Sequence, residues 1–193
     1  MKIIFLDIDG VLNCELWYKQ RFNLLDRQDV TGNYPLYEFA PFLMDRLNQI
    51  IEATKAKVVI SSTWRIGRTS QELQDILNAV NFKGEIIDTT PHFYAQGKQD
   101  DKKINYSVPR GCEIDWWLTN KANFQRINWS KKIQEDYLNK SNIENYIILD
   151  DDSDMLYSQK EHFIKTDVYH GLTQDNVNQA IKVLNSSILD LYY

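Results

Sequence analysis

Three short apolar runs in this chain each end in residues that can hold a phosphate or a metal ion. The runs cover residues 3–6, 58–60 and 147–149, and they lead into Asp7 and Asp9, into Ser61, Ser62 and Thr63, and into Asp150 and Asp151. Short apolar runs of this kind are typical of buried parallel strands, whose carboxyl ends form the ligand-binding edge of an α/β sheet. The pattern therefore predicts one edge of a sheet that carries acids and hydroxyls.

Helical segments alternate with these strands. Their apolar spacing is amphipathic, and residues that begin helices well precede them: Pro41, Thr69 with Glu72 as a capping box, and Thr173. Two further short strands are predicted at 84–88 and 163–166. Alternating strands and helices predict an α/β fold with a doubly wound parallel sheet, and 193 residues suffice for one domain, 1–193.

The composition narrows the classes of partner and compartment. A net charge of -5 gives no general attraction to polyanions, so any nucleic-acid site has to be local. The two cysteines suggest neither a disulfide framework nor a paired zinc motif. No apolar run is long enough to cross a membrane. The first strand begins at once and leaves no room for a signal peptide, so we expect a cytoplasmic protein.

The first acidic pair indicates phosphate chemistry. Asp7 and Asp9 are close enough to repel each other, so a proton or a cation has to compensate their charge, and Gly10 lets the backbone turn beside them. A carboxylate can attack phosphorus, and a second carboxyl can serve as acid and then as base. Mg²⁺ prefers hard oxygen ligands, which Asp7, a backbone carbonyl near Asp9, and Asp150 would supply, with Asp151 and Asp154 as further ligands or as groups that orient them.

The second polar cluster predicts a phosphate-binding loop. A hydroxyl and free backbone N–H groups at a strand end can hold a phosphoryl oxygen, and spacing favours Ser62 over Ser61, with Thr63 beside them. Arg65 and Arg68 follow on the same loop. Their guanidinium forks would clamp a phosphate at the mouth of the site, or the two side chains are solvated or pair with surface acids.

Asp7-x-Asp9-Gly10-Val11 after a buried strand resembles the first motif of the haloacid dehalogenase (HAD) superfamily, in its phosphatase branch. The strand ending in Ser61 and Ser62 and the acids at 150–154 resemble its second and fourth motifs. The resemblance implies that Asp7 is a nucleophile that becomes an aspartyl-phosphate. It also implies that Asp9 is the general acid and base, and that Mg²⁺ binds at Asp7, Asp9, Asp150 and Asp151.

The cation of the family's third motif is less evident. Arg110, at the start of a predicted helix, is the candidate by position, and Lys98, Lys102 and Lys103 are alternatives. Glu113 supports a basic partner or caps that helix. Residues 92–109 are polar and irregular, and they predict a loop or a small flap rather than a cap domain. His92 within them is a candidate base, although a lone histidine beside an aromatic residue is usually structural.

A narrower resemblance concerns the HAD domains associated with RNA-repair proteins and, less closely, polynucleotide 3′-phosphatases. It rests on Ser-Ser-Thr-Trp-Arg at 61–65, on the helix start at 110–118, and on Leu-Asp-Asp-Asp at 149–152 with Gly-Leu-Thr at 171–173. It implies a minimal or absent cap and the removal of a terminal phosphate from RNA or DNA. Residues 117–134 carry cations and aromatics without an acid, as a single-strand nucleic-acid surface or a solvated amphipathic helix would: Lys121, Phe124, Arg126, Trp129, Lys131 and Lys132.

Three other functions compete with this interpretation. A phosphatase of free nucleotides or other small metabolites would use the same groups, and a flap closing over the site would favour it. A non-catalytic metal- and phosphate-binding module would keep the acids, although intact Asp7 and Asp9 argue against it. A phosphate-accepting receiver domain also clusters acids around magnesium, but the Asp-x-Asp-Gly-Val start fits it poorly.

Overall fold

The computed structural model of the chain describes residues 1–24, 37–99, 102–122 and 142–187. The strands in these residues are β1 (Lys2–Leu6), β2 (Lys57–Ile60), β3 (Ile86–Thr89), β4 (Tyr94–Gln99), β5 (Lys102–Ser107), β6 (Asn145–Asp150) and β7 (Phe163–Lys165). The helices are α1 (Glu15–Leu24), α2 (Pro41–Thr54), α3 (Ser70–Asn78), α4 (Arg110–Asn120) and α5 (Gln174–Asn185), with short 3₁₀ turns at Thr63–Arg65 and Tyr157–Gln159.

The main sheet has five parallel strands in the order β3-β2-β1-β6-β7. The central strand is β1, in which Ile4 pairs with Val58 of β2 on one side and with Ile147 of β6 on the other. The first strand of the chain thus lies between two strands that come later, with helices in the crossovers. This topology confirms the predicted α/β fold with a doubly wound sheet.

The two faces of the sheet bury two separate sets of side chains. Ile4 and Leu6 point towards the helices α2, α3 and α5, whereas Ile3 and Phe5 point towards α4. On the α4 side the Phe5 ring meets Trp117 edge-on, with ring centroids 5.4 Å apart. Burial of each such side chain contributes about 1.5–3 kcal/mol. Because both faces are covered, the central strands contain unbroken apolar runs, at 3–6, 58–60 and 147–149, rather than apolar residues at alternate positions.

The predicted helix starts are confirmed. Pro41 occupies the first turn of α2. Thr69 accepts a hydrogen bond from the Glu72 N–H, and the Glu72 carboxylate accepts one from the Thr69 N–H, which completes the capping box of α3. Thr173 caps α5 in the same reciprocal way, with Asn176 as its partner. Each cap satisfies donors that have no partner within the helix.

A β-hairpin occupies the position where the sequence predicts a loop or flap at 92–109. Strands β4 and β5 pair antiparallel from Tyr94 opposite Ser107 to Gln99 opposite Lys102. The two strands are mostly polar and lack the alternation by which a half-buried strand is recognised, so the sequence does not indicate them. Helix α1 follows Asn13, and residues 123–134 of the proposed nucleic-acid surface lie outside the described residues. No described helix is both long enough and apolar enough to span a membrane.

Candidate active site

The carboxyl ends of β1, β2 and β6 meet at one edge of the sheet and bring the three polar clusters together. The backbone ladder continues beyond the strands, since the Asp7 N–H donates to the Leu149 carbonyl (2.9 Å) and the Ser61 N–H donates to the Leu6 carbonyl (2.8 Å). Asp7 is therefore held on extended backbone between β2 and β6. A side chain fixed in this way is preorganised for chemistry.

Three carboxylates converge at this edge. Asp7, Asp150 and Asp151 each offer an oxygen atom, and these atoms lie within 4.8 Å of one another. Asp7 is 7% exposed and Asp150 is 1% exposed. Burial raises the pKa of Asp7 to about 6, against the lowering influence of Arg110 and of a hydrogen bond from the Ser62 hydroxyl. Burial, and then repulsion from Asp7, raises the pKa of Asp150 to about 7, and burial also raises the pKa of Asp151.

The cluster fits a hard divalent cation. One Asp150 oxygen accepts a hydrogen bond from the Asp152 N–H (2.9 Å), but the other, Oδ2, is buried and has no hydrogen-bond partner among the described residues. A buried carboxylate oxygen without a partner is costly, and so are three carboxylates at such short range. Mg²⁺ would relieve both costs, because it binds carboxylate oxygens and commonly needs only one or two of them.

Asp9 lies beside this cluster but not in it. After Asp7 the chain turns back, and the Val11 and Leu12 N–H groups donate to the Ile8 carbonyl. The exposed Asp9 carboxylate accepts hydrogen bonds from Asn13 Nδ2 (2.8 Å) and from Trp64 Nε1 (3.2 Å). These two donors fix the Asp9 side chain away from the cluster, and the metal role predicted for Asp9, which its backbone carbonyl would fill, stays a prediction.

Gly10 is required by this turn. Its φ is +68°, which favours glycine, and a Cβ atom at this position would lie 2.4 Å from the Asp151 side chain. The Gly10 N–H donates to Asn13 Oδ1 (2.9 Å), so Asn13 holds both the turn and Asp9. The close approach of Gly10 brings Asp151 against the first motif.

The hydroxyls after β2 take different positions. Ser62 is buried, its hydroxyl hydrogen-bonds Asp7, and its oxygen accepts from the Trp64 N–H (3.3 Å). The Ser61 hydroxyl is fully buried and has no hydrogen-bond partner among the described residues. Thr63 is exposed at the start of the 3₁₀ turn. Contact with Asp7 favours Ser62 as the hydroxyl that meets a phosphoryl group.

Arg110 lies beside Asp7. It begins α4, and its Nη1 lies 3.8 Å from Asp7 Oδ1. That Nη1 is buried and makes no hydrogen bond within the described part of the chain. An unsatisfied guanidinium nitrogen beside a buried carboxylate can receive an anionic oxygen. The side chains of the alternative cations, Lys98, Lys102 and Lys103, lie outside what the structure describes.

Arg65 departs from its expected role as a phosphate clamp. Its side chain is 3% exposed, and its donors go to the carbonyls of Ser62 (2.6 Å), Thr90 (3.0 Å) and Pro91 (3.1 Å) and to the Glu113 carboxylate. A guanidinium that spends most of its N–H groups on internal acceptors has little left to offer a substrate. We therefore revise the interpretation of Arg65 from a clamp to a residue that ties loops together.

The remaining candidates lie at the margin of the site. His92 Nδ1 is 3.5 Å from Glu113, and its ring meets Tyr94 edge-on, which suits a structural role. Arg68 is exposed and donates to the Trp64 carbonyl (2.9 Å). Trp117, the first residue of the proposed nucleic-acid surface, is a core residue whose Nε1 donates to Asp88 (2.9 Å).

The sequence gives no role to several residues that shape the site. Asn13 and Trp64 hold Asp9, and Gln159 connects the loop after β6 to α4 by donating to the Gly111 carbonyl (2.9 Å). For Trp64 and Gln159, nothing in the residue type or spacing indicates the bonding partner. Only Asn13, three residues after Gly10, has the spacing of a local turn-holding side chain.

Comparison with known proteins agrees with this geometry. No curated protein and no solved structure matched the chain. One family model, described as the HAD domain in Swiss Army Knife RNA repair proteins, matches residues 3–177. The match spans every strand of the main sheet and every polar cluster at its edge. The chain belongs to this family of HAD domains.

Proposed function

We propose that the protein is a magnesium-dependent phosphohydrolase that acts through an aspartyl-phosphate on Asp7. The observation that carries the proposal is the cluster of Asp7, Asp150 and Asp151 within 4.8 Å, with the Arg110 guanidinium 3.8 Å from Asp7. Membership of the HAD family supports hydrolysis of a phosphate ester. A buried nucleophile next to a cation site and an unsatisfied guanidinium suits phosphoryl transfer, in which positioning and charge stabilisation do most of the catalysis.

Asp7, Asp150 and Asp151 would hold the Mg²⁺, together with the backbone carbonyl of Asp9. The ion would neutralise phosphoryl oxygens and the repulsion within the cluster. Arg110 binds a phosphoryl oxygen with its free Nη1. Ser62 and the backbone N–H groups near it hold another, so that phosphorus faces the Asp7 carboxylate.

In the first half-reaction an Asp7 oxygen attacks phosphorus while the bond between phosphorus and the leaving oxygen breaks. Asp9 gives its proton to that oxygen. In the second half-reaction Asp9 takes a proton from water as the water oxygen attacks phosphorus. The bond between phosphorus and Asp7 then breaks, which releases inorganic phosphate and restores both carboxyl groups.

The substrate class we propose is the phosphorylated end of a nucleic acid. The support is the family itself, since its description refers to RNA repair proteins. The net charge of -5 requires that contacts with a polyanion be local to the site. A second candidate substrate is a small phosphorylated metabolite, which the β4–β5 hairpin would favour if it closed over the site, since the Phe93 N–H at its base donates to Glu113 (2.8 Å).

The test is phosphate release with Mg²⁺ from a 3′-phosphorylated oligonucleotide, its 5′-phosphorylated twin and mononucleotides, with EDTA and Asp7→Asn as controls. We expect Mg²⁺-dependent release from an oligonucleotide end, and none from Asp7→Asn. Acid quenching with ³²P-labelled substrate should leave label on the wild-type chain but not on the variant. Faster release from mononucleotides would favour the metabolite, and full turnover by Asp7→Asn would refute the aspartyl-phosphate.

A further inference from the structure

The first turn of α4, which carries Arg110, is attached to the loop after β6. The Asp154 carboxylate accepts the Arg110 N–H (2.7 Å), and the Asp154 carbonyl accepts the Gly111 N–H (3.2 Å). The approach is so close that a Cβ on Gly111 would lie 2.5 Å from the Leu156 nitrogen. This attachment fixes the backbone of Arg110 on one side.

Glu113, one helical turn further on, attaches α4 on the other side. It is 2% exposed, its carboxylate binds the Arg65 guanidinium, and it accepts the Phe93 N–H (2.8 Å) at the base of the hairpin. Arg65 in turn donates to the carbonyl of Ser62, the residue whose hydroxyl meets Asp7. Glu113 thus connects α4, the loop after β2 and the hairpin at a single buried point.

The charges of Arg65 and Glu113 also act on the Arg110 guanidinium. Burial lowers the pKa of Arg65, while the Glu113 carboxylate opposes that shift and the charge of Arg110 adds to it. The two guanidinium groups are therefore close enough to repel each other. With Glu113 present the charge of Arg65 is compensated within the protein, and Arg110 can approach Asp7 without that repulsion.

We propose that Glu113 is a positioning residue for Arg110. By neutralising and holding Arg65, it keeps the Arg110 guanidinium at the nucleophile, and the same carboxylate fixes the base of the hairpin through the Phe93 N–H. The proposal rests on the proposed phosphohydrolase function for its kinetic consequence, but its structural consequence can be measured without turnover.

The test is a double-mutant cycle on the full chain with Glu113→Gln, Arg110→Ala and the combination of both. Glutamine still accepts the Phe93 N–H but no longer neutralises Arg65. We expect Glu113→Gln to lower kcat by about 10- to 100-fold, as loss of a supporting contact commonly does. In the Arg110→Ala background, Glu113→Gln should lower kcat by less than about three-fold, because the residue that Glu113 positions is absent.

Two further variants separate positioning from loss of stability. Arg65→Lys keeps a positive charge opposite Glu113 but cannot reach the same set of acceptors, so it should show the same non-additivity with Arg110→Ala. Asn48→Ala removes a buried side chain that bonds the Asn81 carbonyl (2.8 Å) and the Lys83 N–H (2.9 Å), in contacts that involve none of the site residues. We expect Asn48→Ala to lower the melting temperature and leave kcat unchanged.

Equal losses from Glu113→Gln in both backgrounds would overturn the proposal, because a merely structural role acts without Arg110. If the wild-type chain released no phosphate from any probe, the proposed function would fail and NMR of the Arg110 Nε–H group would decide alone. A shifted or more mobile Arg110 signal in Glu113→Gln, but not in Asn48→Ala, would support positioning. An unchanged signal would refute it.

Discussion

Asp150→Asn should make the metal-free protein more stable at alkaline pH. The pKa of Asp150 is about 7 in the folded chain against 3.8 as its ordinary value. Between these pH values the folded state binds more protons than the unfolded state, so stability falls as the pH rises. Asparagine has nearly the same shape and no charge, and its amide can donate to the neighbouring carboxylates.

The size of the effect follows from the shift. A difference of about 3 pKa units at about 1.36 kcal/mol each sets a ceiling of about 4 kcal/mol at pH 8. Burial of the asparagine amide opposes part of this gain, because an imperfectly bonded amide costs about 1–3 kcal/mol. We therefore expect Asp150→Asn to raise the free energy of unfolding by about 2 kcal/mol at pH 8 in EDTA. At about pH 3 the gain should disappear, since both states then hold the proton.

With magnesium bound, the wild-type protein should become more stable than Asp150→Asn, the reverse of their order in EDTA. A ligand at 100 times its dissociation constant stabilises the folded state by about 2.7 kcal/mol, and Asp150→Asn loses one of the ligands on which that gain depends. Urea unfolding followed by tryptophan fluorescence, with EDTA and with Mg²⁺ at both pH values, measures each free energy. Asp45→Asn, on the exposed side of α2, is the matched control. It should change neither the free energy of unfolding in EDTA nor the stabilisation by Mg²⁺. Equal stability of wild type and Asp150→Asn at pH 8 in EDTA would refute the electrostatic reasoning, and equal stabilisation by Mg²⁺ would remove Asp150 from the metal site.

Three further substitutions test the geometry around Asp7. Gly10→Ala should destabilise the fold by about 1–3 kcal/mol and weaken Mg²⁺ binding, because its φ is +68° and the new Cβ meets Asp151; a calorimetric titration with unchanged affinity would contradict this. Trp64→Phe keeps an aromatic ring but removes the donor to Asp9, so kcat should fall about ten-fold with little loss of stability, and an unchanged kcat would show that Asp9 needs no such support. Gly111→Ala should push α4 away from the loop after β6 and lower both the melting temperature and kcat, whereas normal values of both in a thermal melt and a rate assay would show that the loop yields.

Much of the fold can be predicted from the sequence because its signals are local or periodic. The apolar runs before Asp7, Ser61 and Asp150 indicate buried strands, and parallel strands place their carboxyl ends at one edge. Capping residues mark the helix starts because a cap bonds within its own first turn. The carboxylate cluster follows from the positions of the strands, since each acid comes at the end of a strand and the parallel strands end at the same edge.

The hairpin and the role of Arg65 could not be predicted in the same way. The hairpin strands pair through backbone groups, which every residue carries, and their side-chain pattern does not distinguish them from a loop. Arg65 follows the second motif at the distance of a phosphate clamp. Its guanidinium instead binds Glu113, 48 residues further along the chain, and no local pattern specifies that partner.

The sequence by itself therefore determined which segments form the strands of the main sheet and the edge at which Asp7, Ser62 and Asp150 meet, because apolar strand runs and helix caps are patterns of neighbouring residues. Only the tertiary structure decided which polar groups remain available to a ligand. Arg110 has a guanidinium nitrogen beside Asp7 that makes no hydrogen bond in the described part of the chain, whereas the Arg65 guanidinium bonds to groups within the protein. The difference depends on contacts between distant segments, and these form only when the sheet brings its loops together.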